Sequence, residues 1–218
     1  MGNTKALLHF NGVHGGTTII DSTGLQSWTV FGGAELGTVS GAYGNTALNF
    51  KVIGTNSGAQ ATSNANFLPG TNDFTVEARI KYIYGARIFY NEIANPGIQL
   101  DLTAGMKITG AFRWDTPLNM IAVGGNTTVG TTDWYHVAMV RSGTSLKIYI
   151  NGTAETTVGN VGTLSAIGSA GIAQIGYSAV GTSYIDEFRY SNVARYTTNF
   201  TPPTGEFQIG NLMPSIFN

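Results

Sequence analysis

Apolar and polar residues alternate with a period of two along much of the chain, and this pattern constrains the fold more than any other feature. In residues 73–84 (DFTVEARIKYIY), apolar side chains occupy every second position and mostly charged or hydroxyl side chains occupy the positions between them. Successive side chains of a strand point to opposite faces, so this segment is predicted to be a strand with one buried and one solvated face. Comparable patterns, rich in β-branched and aromatic residues, occur at 105–114, 134–141, 146–150 and 184–190.

Glycine provides the turns between these segments. The chain has 30 glycines among 218 residues, about twice the usual share of roughly 7%. Asn151-Gly152 directly follows the segment 146–150 and predicts a two-residue hairpin, because both residues tolerate a positive φ. Shorter strands are expected at 5–10, 46–52, 87–91, 98–103, 120–123 and 173–177. Ten or more short strands without a convincing helix predict an all-β sandwich or barrel.

Composition excludes several classes of protein. Hydrophobic residues make up 42% of the chain, which is too many for a disordered protein, and the absence of cysteine excludes a disulfide framework. Eleven Lys and Arg are scattered singly and the net charge is −1, so no nucleic-acid partner is expected. No apolar run approaches the ~18 residues of a membrane helix, so no membrane insertion is expected. The run Leu7–Phe10 is shorter than the ~7–15 apolar residues of a secretory signal, which predicts synthesis in the cytoplasm without such a signal.

Six short motifs together carry a resemblance to a known family. They are LLHFNG at 7–12, DFTVE at 73–77, DWYHVA at 133–138, LKIYING at 146–152, YIDEF at 184–188 and VARYTTNFTPP at 193–203. At these spacings, residues 5–207 resemble the laminin G-like branch of the concanavalin A-like lectin/glucanase superfamily. The resemblance implies a jelly-roll sandwich of two antiparallel sheets, with Trp134 buried in its core, and it implies glycan or protein binding more often than catalysis. The last motif resembles a form common in bacteriophage structural proteins.

The acidic residues do not predict a hydrolase. Hydrolases of this superfamily carry two or three carboxylates close together on one strand, because a retaining glycosidase needs its acid and nucleophile about 5–5.5 Å apart. In this chain no two acidic residues are separated by a single residue. Asp73 and Glu77 lie four positions apart, roughly 13 Å along a strand, and are interpreted as solvated charges beside Arg79 and Lys81. His136 is interpreted as a satisfied, partly buried histidine, and we predict that the protein is not an enzyme.

Asp186 is the most informative carboxylate. Strict alternation places it on one face with Tyr184, Phe188 and Tyr190, where a charge must meet donors or a cation. One interpretation, which the resemblance suggests, is a structural Ca²⁺ bound by Asp186 together with backbone oxygens of distant loops, with Asp21 as a second ligand. The alternative is that Asp186 accepts hydrogen bonds from backbone N–H groups or a Tyr hydroxyl, and that Asp21 forms a local turn.

A glycan site would need an exposed aromatic ring beside planar polar groups. Three candidates meet this requirement in the sequence: Arg113 and Trp114 with nearby Asn119, Tyr90 with Asn91, and Trp28 near a glycine-rich loop. The alternative for each is an aromatic residue of the core or its rim.

The C-terminal extension is apolar in an otherwise polar chain. We divide the chain into a jelly-roll domain, residues 1–204, and this extension, residues 205–218. The extension either packs on its own sandwich or docks on a neighbouring molecule; we favour docking, which predicts an assembly role. Its apolar residues are Phe207, Ile209, Leu212, Met213, Ile216 and Phe217.

Together these features predict a non-catalytic protein of the virion surface, either structural or adhesive, that binds glycans or the host surface. Its partners would be other virion proteins, copies of itself or a polysaccharide, and outside a virion it would be extracellular. The alternative is a purely architectural capsid decoration protein without a ligand, and a glycoside hydrolase is the third candidate.

Overall fold

The computed structural model describes residues 2–50, 56–62, 65–81, 86–91, 97–114, 119–164, 172–177 and 183–210. It confirms the all-β prediction, since fifteen strands of the described residues form two antiparallel sheets of a sandwich. The strands in chain order are β1 (Thr4–Leu8), β2 (Thr29–Phe31), β3 (Glu35–Thr38), β4 (Thr46–Phe50), β5 (Gly58–Thr62), β6 (Phe74–Lys81), β7 (Arg87–Tyr90), β8 (Ile98–Leu102), β9 (Lys107–Arg113), β10 (Met120–Thr128), β11 (Tyr135–Ser142), β12 (Ser145–Ile150), β13 (Thr153–Asn160), β14 (Ile172–Tyr177) and β15 (Ser183–Ser191).

The strongly alternating segments form strands close to the predicted positions, and the Asn151-Gly152 hairpin is confirmed. Asn151 has φ +47° and Gly152 has φ +78° between β12 and β13. Three short strands, β2, β3 and β5, were not predicted, because they hold only three to five residues and contain Gly or Thr in place of a clear apolar alternation. Two single 3₁₀ turns, Tyr43–Asn45 and Ala65–Phe67, are the helical elements of the described residues. None of these described elements has the length and apolar character of a membrane-crossing helix.

The first sheet has eight strands and is built around β15. Its order is β13-β12-β11-β6-β15-β4-β3, and β1 also pairs with β15. The strand β15 pairs with β6 along one edge, whereas the other edge is shared by β4 at residues 183–185 and β1 at residues 188–191. The change of partner coincides with a β-bulge, because three residues of β15 from Asp186 to Arg189 span the two-residue step from Arg79 to Glu77 on β6. Glu187 is the extra residue, with φ +53°.

The second sheet has seven strands in the order β10-β9-β8-β7-β14-β5-β2. The main core lies between the two sheets and is formed by the apolar positions of both. Among its largest members are Phe67, Phe89, Phe112, Phe188 and Tyr190, all fully buried. The core therefore positions every other residue of each strand on one of two outer faces, where the candidate sites lie.

Residues 192–210 run back across the outer face of the eight-stranded sheet, and we call them the C-terminal strap. Tyr196 stacks on Phe200 with ring centroids 3.5 Å apart, and both pack on Ala138 and Tyr149 of the sheet. The backbone N–H of Phe200 donates to the carbonyl of Gly152 at 2.9 Å. The strap thus forms a second, smaller apolar layer outside the sandwich.

Candidate functional site

A row of polar side chains crosses the outer face of the seven-stranded sheet. The strand register aligns Gln60 of β5 with Gln174 of β14, then with Tyr90 of β7 and Gln99 of β8. Their neighbours along each strand, such as Ala59, Ile175, Phe89 and Leu100, point into the core. We call these four residues, together with Arg87, Asp101 and Arg113, the polar track.

One end of the polar track contains a buried amide with unused capacity for hydrogen bonding. The side-chain amide of Gln174 donates to Oε1 of Gln60 at 2.8 Å. The Oε1 atom of Gln174 is buried and finds no hydrogen-bond partner within the described parts of the chain, and the whole residue is 4% exposed. An unpaired buried acceptor typically costs about 1–3 kcal/mol, so this end of the track lowers the stability of the fold.

The middle of the polar track is a chain of charged and amide groups. Nη1 of Arg113 donates to Oε1 of Gln99 at 3.2 Å, and the Gln99 amide donates to the carboxylate of Asp101. Burial raises the pKa of Asp101, while the Gln99 hydrogen bond and the positive charges of Arg87 and Arg113 oppose this rise. The Oδ1 atom of Asp101 is also buried and without a hydrogen-bond partner in the region the structure describes. The track therefore offers both donors and acceptors with little net charge.

Arg113, Trp114 and Asn119 come together, as the sequence suggested. The backbone N–H of Trp114 donates to the carbonyl of Asn119 at 3.4 Å, where β9 ends and β10 begins. Trp114 is half-buried and packs against the core, whereas Asn119 is exposed. Arg113 connects this half-exposed aromatic ring to the polar track through Gln99.

The second proposed glycan cluster, Tyr90 with Asn91, is not an exposed site, because both side chains are buried. The Asn91 amide donates to the carbonyl of Phe67 at 3.0 Å and its Oδ1 accepts the backbone N–H of Ile98 at 3.0 Å, so the side chain joins two backbone segments. The guanidinium of Arg87 lies over the Tyr90 ring, 4.8 Å from its centroid. Alternation alone does not show that Arg87, three positions earlier on the same strand, covers the Tyr90 ring.

Glu77 was interpreted as a solvated charge, and the structure shows the opposite. It is fully buried on the outer face of the eight-stranded sheet, beneath the C-terminal strap. Its Oε1 accepts Nε of Arg189 at 2.8 Å, and its Oε2 accepts the Tyr196 hydroxyl at 2.8 Å and lies 3.0 Å from Nε2 of His136. Burial alone would raise the pKa of Glu77, but the Arg189 charge and the His136 hydrogen bond lower it to about 2. Both oxygens of the carboxylate form contacts within the fold, which argues against a role as a hydrolytic acid.

Asp186 lies on the outer face with Arg79, not on the face of Phe188 and Tyr190 that strict alternation predicted. The β-bulge at Glu187 shifts the alternation, so that Phe188 enters the core while Asp186 points away from it. Its Oδ2 accepts the backbone N–H of Tyr43 at 2.9 Å and Nη1 of Arg79 at 3.3 Å, and its Oδ1 accepts the N–H of Glu187 at 3.0 Å. The pKa of Asp186 is raised to about 7, chiefly by burial and also by the Glu187 charge, while the two backbone hydrogen bonds and the Arg79 charge oppose the rise.

These contacts do not fit a calcium ion at Asp186. Both of its oxygens face N–H donors, one of them a guanidinium, whereas Ca²⁺ takes six to eight oxygen ligands. Oδ1 of Asp21 accepts the N–H groups of Leu7 and Thr23 and the Thr23 hydroxyl, which leaves only its Oδ2 without a partner among the described residues. No group of three or more His, Asp or Glu residues suited to a metal occurs in the described ranges.

Trp134 is half-buried on the outer face and not in the core, which corrects the expectation drawn from the resemblance. Its indole Nε1 donates to the carbonyl of Ser40 at 2.9 Å. The guanidinium of Arg79 lies between two aromatic rings, 4.8 Å from the Trp134 centroid and 3.8 Å from that of Tyr43. The sequence did not indicate this cluster, because the loop that carries Ser40 and Tyr43 meets Arg79 and Trp134 only in the folded protein.

The C-terminal extension was expected to dock on a neighbouring molecule, but its first apolar residue packs on its own sandwich. Phe207 is 1% exposed on its own sandwich, its ring covers the Arg189 guanidinium at 4.6 Å, and its N–H donates to Glu187 at 2.6 Å. Ile209 is 44% exposed, although its carbonyl accepts the Thr4 hydroxyl at 2.6 Å. Leu212, Met213, Ile216 and Phe217 lie outside the described residues, so their proposed assembly role stays a prediction.

The family follows from the sequence match together with this fold. Residues 53–199 match the family model of the concanavalin A-like lectin/glucanases superfamily, in its laminin G-like form. The chain belongs to this superfamily. No curated protein matches the chain.

Solved structures similar to this fold include binding domains of clostridial toxins. The binding domain of Paraclostridial Mosquitocidal Protein 1 is similar to this chain with a TM-score of 0.70 and 16% identity, over 88% of this chain and 49% of that one. The binding domain of botulinum neurotoxin DC in complex with rat synaptotagmin II has a TM-score of 0.67 and 14% identity, over 88% and 49%. The same toxin domain in complex with SialylT has a TM-score of 0.67 and 13% identity, over 88% and 48%. The chain spans about half the length of these structures.

Proposed function

We propose that this protein is a non-catalytic binding module that holds a polysaccharide on the outer face of its seven-stranded sheet. The observation that carries the proposal is the polar track, in which amide, guanidinium and carboxyl groups of five adjacent strands align. The partly exposed side chains of Gln60, Gln99 and Arg113 support a ligand rich in hydroxyl groups, because hydroxyls both donate and accept hydrogen bonds. The half-exposed ring of Trp114 beside Arg113 and Asn119 extends the track toward a surface where a sugar ring could stack.

The enzyme alternative has less support. Asp73 accepts the backbone N–H of Gly143 at 2.7 Å, Glu77 is enclosed by Arg189, His136 and Tyr196, and Asp186 is paired with Arg79. None of these carboxylates is therefore free to protonate a glycosidic oxygen or to attack a sugar. The similar solved structures named above are binding domains, which also favours binding.

We place this module on the surface of a bacteriophage particle, where it would contact the host surface or its glycans. The support is the VARYTTNFTPP motif at 193–203, whose Tyr196 and Phe200 form the stacked centre of the strap. The partners would be other virion proteins or further copies of this chain.

The experiment that tests this proposal combines two measurements. Binding of neutral and charged polysaccharides is measured for the wild-type protein and for Arg113→Ala and Trp114→Ala, with the exposed Met120→Ala as a neighbouring control. We expect the first two variants to lose about tenfold or more in affinity, and Met120→Ala to stay within twofold. Polysaccharide binding that is equal in all four proteins would contradict the site, and the absence of any binding would contradict the function.

A purely architectural decoration protein is the second candidate, and one observation favours it. Val13 and Ile20 are 76% and 71% exposed within a short stretch near β1, an apolar surface that a neighbouring subunit could cover. Particles that lack the protein would then break sooner on heating or osmotic shock, while their adsorption to cells would be unchanged.

A further inference from the structure

A small pocket opens on the outer face of the eight-stranded sheet, on the side opposite to the polar track. It lies where the β11–β12 hairpin meets the C-terminal strap and has a volume of about 100 Å³. Ser142 and Ser145 face each other across the hairpin, and Lys147 lies on the same face, opposite Val140. Thr197 of the strap contributes a third hydroxyl group to the rim.

The residues that line the pocket include one positive charge and no negative one, while the Asp73 carboxylate accepts the N–H of Gly143 in the adjoining β11–β12 turn at 2.7 Å. Lys147 is the charged residue among those that line it, and no carboxylate does so. None of the ion pairs found in the described residues involves Lys147. An ammonium group beside three hydroxyls forms an arrangement that favours a compact oxyanion, since charge-assisted hydrogen bonds are the stronger ones.

Two aromatic rings form the floor. Tyr149 is fully buried and its hydroxyl donates to the carbonyl of Tyr196 at 3.4 Å, while the Tyr196 hydroxyl donates to Glu77 at 2.8 Å. Both phenol hydroxyls already form hydrogen bonds within the protein. Tyr149 and Tyr196 therefore present only their rings to the pocket. Stacking of Tyr196 on Phe200 holds this floor in place.

The size of the pocket limits what enters it. Pockets for complete drug-sized ligands usually measure about 300–1,000 Å³, so 100 Å³ admits only a terminal group of a larger molecule. The pocket is open at the Ser142, Ser145 and Thr197 rim, where hydroxyls of a neighbouring sugar ring would find partners.

We propose that this pocket binds the carboxylate or sulfate group of an acidic saccharide. Lys147 neutralises the anionic group, the Ser and Thr hydroxyls bind its oxygens, and the Tyr149 and Tyr196 rings support the carbon skeleton. The site is separate from the polar track because the two lie on different sheets.

The test uses four probes: dextran, dextran sulfate, alginate and inorganic sulfate. Each is titrated into the full chain and followed by calorimetry and by amide chemical shifts. Lys147→Ala should lose about tenfold in affinity for dextran sulfate or alginate. Lys107→Ala, which removes one exposed charge on the other sheet, should stay within twofold. Thr197→Val, which keeps the shape of the rim, should lose affinity severalfold.

The outcomes separate the possibilities. Shifts confined to residues 140–149 and 196–197 with sulfated dextran or alginate, but not with dextran, support the proposal, and the better of the two polymers identifies the group. Equal losses in Lys147→Ala and Lys107→Ala would overturn it, because binding would then depend only on net charge. Inorganic sulfate that binds as tightly as dextran sulfate would also overturn it, in favour of a free-anion site. Arg113→Ala should bind these probes normally at this pocket, so failure of the polar track and failure of this pocket can be told apart.

Discussion

Nε of Arg189 donates to Oε1 of Glu77 at 2.8 Å in the interior of the protein, and the ring of Phe207 covers the Arg189 guanidinium. The two charges come from adjacent strands, β15 and β6, and the register pairs them directly. Because the carboxylate is fully buried and the guanidinium nearly so, each depends on the other for its solvation. The pair anchors the strap to the sheet, because the Tyr196 hydroxyl donates to Glu77 and the Gln208 carbonyl accepts Nη1 of Arg189.

Replacing Glu77 by Gln should strongly destabilise the protein. The change leaves the Arg189 charge buried without its partner, which typically costs about 3–5 kcal/mol. Urea unfolding measures the loss, with Glu206→Gln on the exposed part of the strap as a control. A loss of stability that lies within about 0.5 kcal/mol of the loss in the control would show that the cluster contributes little.

Replacing Phe207 by Ala should release the strap from the sheet. Removal of a buried Phe side chain typically costs about 3–5 kcal/mol, and here it also uncovers Arg189. We expect faster proteolytic cleavage between residues 200 and 210 as well as a lower melting temperature. Ile209→Ala is the matched control, since Ile209 is 44% exposed and its truncation should change little. Equal protease sensitivity of the two variants would contradict the anchoring role.

The free energy of unfolding should fall as the pH rises from 5 to 8. The pKa of Asp186 is raised by burial to about 7, so the folded protein binds this proton more tightly than the unfolded chain and loses that advantage as the pH rises through 7. The His9 pKa is raised by its hydrogen bond to Glu187 and acts in the same direction. Glu77 acts oppositely, but its pKa of about 2 confines the effect to acid conditions below about 4.5.

Asp186→Asn isolates this contribution, because an amide resembles the protonated carboxyl. The wild-type protein should lose on the order of 2–4 kcal/mol between pH 5 and pH 8, since a tenfold change in proton affinity corresponds to about 1.4 kcal/mol. Most of this loss should be absent from the variant, and the exposed Asp133→Asn should retain it. Identical pH profiles for wild type and Asp186→Asn would assign the dependence to other groups.

Chelation should leave the melting temperature unchanged within about 1 °C. The donors around Asp186 occupy both of its oxygens, and of these two candidate ligands only Asp21 has a carboxylate oxygen without a hydrogen-bond partner among the described residues. Thermal unfolding with a chelator and with millimolar CaCl₂ measures the effect. A drop of several degrees in the chelator, restored by calcium, would revive the ligand assignment of Asp186 and Asp21.

The sequence alone predicted most of the strands and the sandwich. Period-two alternation identified β6, β11 and β15 as strands, and Asn151-Gly152 identified the hairpin. These features depend on local backbone geometry and on the need to bury apolar surface, both of which are visible in a short window of residues. The grouping of Arg113, Trp114 and Asn119 was also predictable, because all three lie around one strand-to-strand connection.

Only the tertiary structure decided which polar groups are buried and which face each one occupies. The bulge at Glu187 moved Asp186 to the outer face, and nothing in the alternation of β15 indicates where an extra residue will be inserted. The strap enclosed Glu77 and Arg189 because a segment more than a hundred residues after β6 returns over it. Burial and the pairing of charges depend on such distant contacts, whereas the pattern along a strand records only its two faces.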